Sequence, residues 1–150
     1  MFNILQMRIR SSSVLDLFAG SGALSLEALS RGAEHAVMVD SDRTACRIQR
    51  QNTEKLGFEG RARILCCDWK EALRELGLQE AQFDLIFLDP PYAMTDLRNV
   101  FDALVPFLSP EGLVVLEHEA GKDILAGKEF EKKDERRWGF CAVSFYQRSA

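Results

Sequence analysis

Val14-Leu15-Asp16-Leu17-Phe18-Ala19-Gly20-Ser21-Gly22 is the stretch on which the fold turns. Residues 14–18 read as a buried strand with one polar interruption, Asp16. A tight Gly-x-Gly turn follows. Ala23, Leu24, Leu26 and Leu29 then recur as the apolar positions of a helix that stops at Arg31-Gly32. Strand, glycine turn and helix, in that order, make the first unit of an α/β fold.

The unit repeats downstream. The pattern predicts strands over 36–39, 62–66, 83–88 and 113–116, the second ending at Asp40 and the third at Asp68. Asp42 is placed to cap a helix that runs to Gly57, and a further helix runs from Trp69 to about Leu76. Thr95 is the expected cap of the next, whose apolar positions Leu97, Val100, Phe101, Leu104, Val105 and Leu108 keep helical spacing until Ser109-Pro110-Glu111-Gly112 breaks it. Residues 130–136 and 140–147 read as an antiparallel hairpin around Trp138-Gly139, with Trp138 packed at the turn. Phe2, Ile4, Leu5 and Met7 open the chain as the tail of a helix. The expectation is a Rossmann-like, doubly wound α/β fold. It has a mostly parallel seven-stranded sheet, helices on both faces and a closing antiparallel hairpin.

With 150 residues, 47% hydrophobic and 28% charged, the chain suits one globular domain with a real core. No apolar run is long enough to span a bilayer, and no signal peptide is visible at Met1-Phe2-Asn3. Cys46, Cys66, Cys67 and Cys141 lack the paired spacing of a zinc site, so they read as reduced thiols of a cytoplasmic protein without a metal. Glu117-His118-Glu119 is no metal triplet either, because neighbours on a strand point to opposite faces. A net charge of -4 argues against a broad basic footprint. Arg8 and Arg10, and Lys132, Lys133, Arg136 and Arg137, read as solvated faces.

Ligands of such sheets bind beyond the carboxyl ends of the strands, where the glycine turn, Asp40, Asp68 and Asp89 all fall. Asp40 follows Gly22 by 18 residues, near the spacing at which an acid accepts from ribose hydroxyls. Ser25 occupies the third position of a Gly-x-Gly-x-x-Gly pattern, so a nicotinamide dinucleotide fits poorly. Asp16 points instead to a cofactor with an ammonium group. S-adenosylmethionine has that ammonium as well as a ribose. Asp68 can accept from its adenine amine, or equally cap the helix that begins at Trp69. After the fourth strand, Asp89-Pro90-Pro91-Tyr92 forms a stiff extended corner bearing an acid and a ring, suited to a planar hydrogen-bonding ligand.

Residues 14–22 together with Asp89-Pro90-Pro91-Tyr92 resemble the class I S-adenosylmethionine-dependent methyltransferases that modify exocyclic amines. The continuation through Ala23-Leu24 and Glu27-Ala28-Leu29-Ser30-Arg31-Gly32-Ala33 resembles the bacterial RsmD family, whose members methylate the N2 amine of a guanine in 16S ribosomal RNA. The resemblance runs from Phe2 to the closing hairpin. It implies that Asp16, Phe18 and the Ala19-Gly20-Ser21-Gly22 turn hold S-adenosylmethionine, with Asp40, Ser41, Asp68 and Trp69 on its nucleoside side. It further implies that Asp89, Pro90, Pro91 and Tyr92 hold the acceptor base. Relatives carry a further N-terminal segment that helps hold RNA. Met1-Phe2-Asn3-Ile4-Leu5 resembles the end of its helix, so 1–150 is expected to be a single methyltransferase domain lacking that segment. Asp40 stands where relatives often have Glu.

An aromatic exocyclic amine is a poor nucleophile, because its lone pair is delocalised into the ring. Asp89 and the Pro90 carbonyl are suitable acceptors for its two N–H groups, and Tyr92 for stacking on a flipped base. A carboxylate of ordinary pKa, about 3.9, is a weak base, so Asp89 is expected to orient the amine and stabilise charge rather than abstract the proton first. The expected partner is 16S ribosomal RNA or a small-subunit assembly particle, bound by a monomer. Adenine N6 in DNA, a protein glutamine amide, and nucleoside binding without catalysis remain open at this point.

Overall fold

The apolar runs lie side by side in a computed structural model, which describes all residues except Tyr92, Asp123, Leu125 and Ala150, and all of their side chains except those of Asn3 and Ile4. The elements are α1 (Phe2–Ile9), β1 (Ser13–Leu17), α2 (Ala23–Ser30), β2 (His35–Asp40), α3 (Arg43–Leu56), β3 (Ala62–Cys66), α4 (Trp69–Leu78) and β4 (Phe83–Leu88). After them come α5 (Leu97–Leu104), a 3-10 turn (Val105–Phe107), β5 (Leu108–Glu119), β6 (Phe130–Trp138) and β7 (Cys141–Arg148). The sheet order is β3-β2-β1-β4-β5-β7-β6. The β1, β2, β3, β4 and β5 strands are parallel, while β7 runs antiparallel to β5 and β6 antiparallel to β7.

Alternation along each strand divides the core between the two faces of the sheet. Leu15, Leu17, Ile86 and Leu88 pack with Leu73 and Leu76 of α4 and with Val100, Phe101 and Leu104 of α5. Val14, Leu85 and Phe87 pack on the other face with Leu5 and Ile9 of α1 and with Leu26 and Leu29 of α2. Helix ends follow local chemistry. The Asp42 carboxylate accepts the Thr44 N–H and opens α3, and Gly57, at φ 75°, closes it.

Four expectations change. The N-cap of α5 is Asp96 rather than Thr95, and its side chain makes no capping bond. That helix ends at Leu104, because Pro106 supplies no N–H and turns the chain into a 3-10 segment. Leu108 is then fully buried opposite Phe83 at the start of β5, and Ser109 to Gly112 bulge out before pairing resumes at Leu85–Leu113. Trp138 is 51% exposed instead of packed, and Phe140 beside it in the turn is 94% exposed. Each cation of β6 pairs with an acid of the same strand, including Lys132 and Arg137 with Glu135 and Arg136 with Asp134.

Phe101 ties α5 to the closing hairpin. Its ring meets Phe130 edge-on at 5.2 Å and Tyr146 at 5.0 Å. Phe101→Ala is therefore expected to cost about 3–5 kcal/mol, read from denaturant unfolding of the two proteins.

Candidate functional site

Strand register lines the chemistry up along one edge of the sheet. Leu17 is opposite Val39 on one side and Leu88 on the other, and Leu88 is opposite Leu116. Phe18, Asp40, Asp89 and Glu117 each come one residue beyond that line, Phe18 and Asp89 just past β1 and β4, Asp40 as the last residue of β2, and Glu117 still within β5 and paired with Val143 of β7. β1 lies between β2 and β4, where the strand order reverses. That is the place at which open α/β sheets form a crevice.

The glycine turn is held from beneath. Ala19 N–H donates to the Val39 carbonyl at 2.8 Å, and Gly20 N–H to Asp40 Oδ2 at 2.9 Å. Gln49 Nε2 donates to the Gly20 carbonyl at 2.7 Å. Gly22 sits at φ 82°, and a Cβ there would come within 2.6 Å of Met38 Sδ, so this position admits no side chain. Gly20, at φ 57°, has open space where its Cβ would be, and the backbone there stays approachable. Phe18 adopts φ 69°, a costly conformation for a bulky residue, imposed by the turn from strand into loop. The other oxygen of Asp40 takes the Asp42 N–H at 2.9 Å. Asp40 thus braces the loop and keeps lone pairs for a ligand.

Asp16 is 1% exposed, on the face of β1 that meets α2. Ser25 Oγ donates to its Oδ2 at 2.7 Å. The serine that spoils the dinucleotide pattern is therefore the partner of the buried acid. Burial pushes the Asp16 carboxyl up to about 7. Side-chain and backbone hydrogen bonds from Ser25 oppose the rise, and the charges of Asp89 and Asp40 add to it. The charges that act most strongly on Asp16, those of Asp89 and Asp40, are both negative. The cavity carries excess acid, which suits a cationic ligand and repels a pyrophosphate.

Two cavities share a wall. The larger, about 440 Å³, is lined by Phe18, Gly20, Asp40, Ser41, Asp68 and Trp69. Asp68 is exposed and caps α4, accepting the Lys70 N–H at 3.1 Å. Trp69 is buried in the core and lines the cavity. The smaller cavity, about 70 Å³, has Glu117, His118, Glu119, Lys122 and Cys141 in its lining. Asp89, Pro91 and Met94 line both, and Pro90 lines the second. Met94 is folded back onto the corner by its N–H bond to the Pro91 carbonyl, at 3.0 Å. Partial burial, and secondarily the Glu117 charge, raise the Asp89 carboxyl above the usual range. Tyr92, expected to stack on the base, lies outside the described residues.

Gln49, Glu117 and Met94 were not foreseen. Gln49 shares the buried stripe of α3 with Cys46 and Thr53, a three-and-seven spacing that marks it as core-facing. Glu117 directly follows the apolar run 113–116, just as Asp40 follows 36–39 and Asp89 follows 83–88. That shared position is the signal that would have found it. Met94 has none.

The family model described as conserved hypothetical protein 95 matches residues 1–147. The Bacillus subtilis protein YlbH, a candidate rRNA methyltransferase, is 37% identical over 120 residues, covering 79% of this chain and 65% of its own length. Ribosomal RNA small subunit methyltransferase D of Escherichia coli strain K12 is 31% identical over 153 residues, covering 100% of this chain and 75% of that protein. A solved structure of a candidate methyltransferase from Escherichia coli superposes with TM-score 0.85 at 32% identity, over 99% of this chain and 84% of that one. The chain spans about two thirds to three quarters of the length of these curated relatives. By sequence and by fold, the chain belongs to the ribosomal RNA small subunit methyltransferase D family of class I S-adenosylmethionine-dependent methyltransferases.

Proposed function

We propose that this chain transfers a methyl group from S-adenosylmethionine to the exocyclic N2 amine of a guanine in 16S ribosomal RNA, presented as RNA or as an assembling small subunit in the cytoplasm. The observation that carries the reading is the wall of Asp89, Pro91 and Met94 between an acidic cavity beside the glycine turn and a second, smaller cavity. One side suits a cationic nucleoside and the other the edge of a base, with the amine-holding corner between them.

The residues present fit the cofactor. Asp16 is a buried acid whose pKa the charges of Asp89 and Asp40 raise further, and an ammonium group would offset that excess charge. Gly20 leaves room for close approach, and Asp40, Ser41 and Trp69 line the nucleoside side. When bound, the sulfonium supplies an electrophilic methyl carbon. Asp89 and the Pro90 carbonyl accept the two N–H groups of the amine, so its lone pair turns out of the ring plane and toward that carbon. The N–CH3 bond forms as the S–CH3 bond breaks. The amine proton, acidified by methylation, then leaves through Asp89 to water. The raised Asp89 carboxyl is a better proton acceptor than an ordinary carboxylate.

Tritium transfer from labelled cofactor to immature small-subunit particles and, in parallel, to DNA, followed by nucleoside analysis, tests this reading directly. Label in N2-methylguanosine supports it, and label confined to DNA or protein sinks it. Asp89→Ala is expected to lower transfer by about 100- to 1,000-fold while cofactor affinity stays within a few-fold, measured by calorimetry.

Asp16 makes the protein's pH behaviour distinctive. Its folded pKa lies above the unfolded value, so its contribution to stability is complete below about pH 4 and is lost as pH rises through about 7. Asp16→Asn removes that titration. Its stability relative to wild type is expected to improve by on the order of 4 kcal/mol between about pH 4 and pH 8, in denaturant titrations at the two values. Cofactor affinity of the wild type should fall about tenfold per pH unit below 7, and the Asn variant should bind weakly without that slope.

A further inference from the structure

The second cavity is lined by Lys122 and by two carboxylates that the transfer step leaves unused, the exposed Glu119 and the half-buried Glu117. Glu117 follows Leu116, which is opposite Leu88, so it stands beside Asp89 across the β4–β5 pair. Cys141, on the neighbouring antiparallel strand, donates its thiol to Glu117 Oε1 at 3.2 Å and lines the same cavity. This bond holds the side chain toward the cavity. It occupies one of about four acceptor sites that a carboxylate offers.

A group that accepts and cannot donate is selective at a purine edge. Beside its C2 amine, guanine presents N1–H, a donor. 2,6-Diaminopurine carries the same C2 amine, but its N1 is a bare lone pair. A carboxylate against N1 is satisfied by the first and repelled by the second. Asp89 and the Pro90 carbonyl are already committed to the amine hydrogens, which leaves N1 for the next acceptor around the cavity. We infer that Glu117 reads the N1–H of the acceptor base and so admits guanine while rejecting purines with an unprotonated N1. The inference rests on the guanine-N2 reading above and adds the residue that enforces it.

Glu117→Gln keeps the shape and an oxygen for the Cys141 thiol, while its amide can also turn an N–H toward an N1 lone pair. The test uses the full chain and small-subunit RNA assembled by splinted ligation, carrying guanine or 2,6-diaminopurine at the position that the wild-type enzyme labels. Wild-type kcat/KM is expected to favour guanine by about 100-fold. In Glu117→Gln that preference should fall to within about fivefold, chiefly through recovered transfer to diaminopurine, with S-adenosylmethionine affinity unchanged within twofold. A guanine preference that stays within twofold of the wild type's would overturn the role given to Glu117 and leave the guanine reading standing. No transfer by the wild type to the guanine RNA would overturn both.

Discussion

Excess negative charge at one edge of the sheet is the constraint on which this molecule depends. Asp16 within β1, Asp40 at the end of β2 and Asp89 just past β4 lie close enough for the latter two to raise the pKa of the first. A parallel sheet has little freedom to avoid this, because its register aligns the strand ends. Burial at Asp16 makes the cost large, and a hydroxyl from Ser25 only partly offsets it. Such an arrangement persists when a positive ligand completes it. The charge pattern therefore separates a sulfonium and ammonium cofactor from a dinucleotide more sharply than the count of glycines does.

Much of the surrounding structure maintains this edge. Asp40 and Gln49 grip the glycine turn from two sides, and Met38 packs where a Cβ on Gly22 would need to be. Phe18 accepts an unfavourable backbone conformation at the point where strand becomes loop. Strain, buried acid and a braced loop occur together, as expected where stability yields to binding. The core is ordinary by comparison, two apolar layers divided by strand alternation, with Phe101 tying α5 to the last two strands.

The elements that were legible in the sequence are those dictated by short-range physics. Asp42 and Gly57 bracket α3 because a carboxylate cap and a left-handed glycine act within a few residues. The β3 and β4 boundaries follow from apolar runs with polar stops. The misread places are those where distant packing prevails. Burial of Leu108 opposite Phe83 pulls into β5 a segment that helical spacing assigned to α5, with Pro106 making the break. Trp138 and Phe140 lie at a turn that nothing covers among the described residues.

The same division holds for the site. Sequence alone determined the α/β order, the glycine turn, the acids that end the strands and the stiff Asp89-Pro90-Pro91 corner, since each is a local pattern of backbone freedom and hydrophobic period. Tertiary structure alone decided that Ser25 holds Asp16, that Asp68 caps a helix, that Gln49 reaches Gly20, and that Asp89 stands between two cavities with Glu117 across from it. Apart from the Asp68 cap, a bond to Lys70 two residues on, those relations join residues from separate strands and helices. They exist only once parallel pairing has brought the strand ends into line.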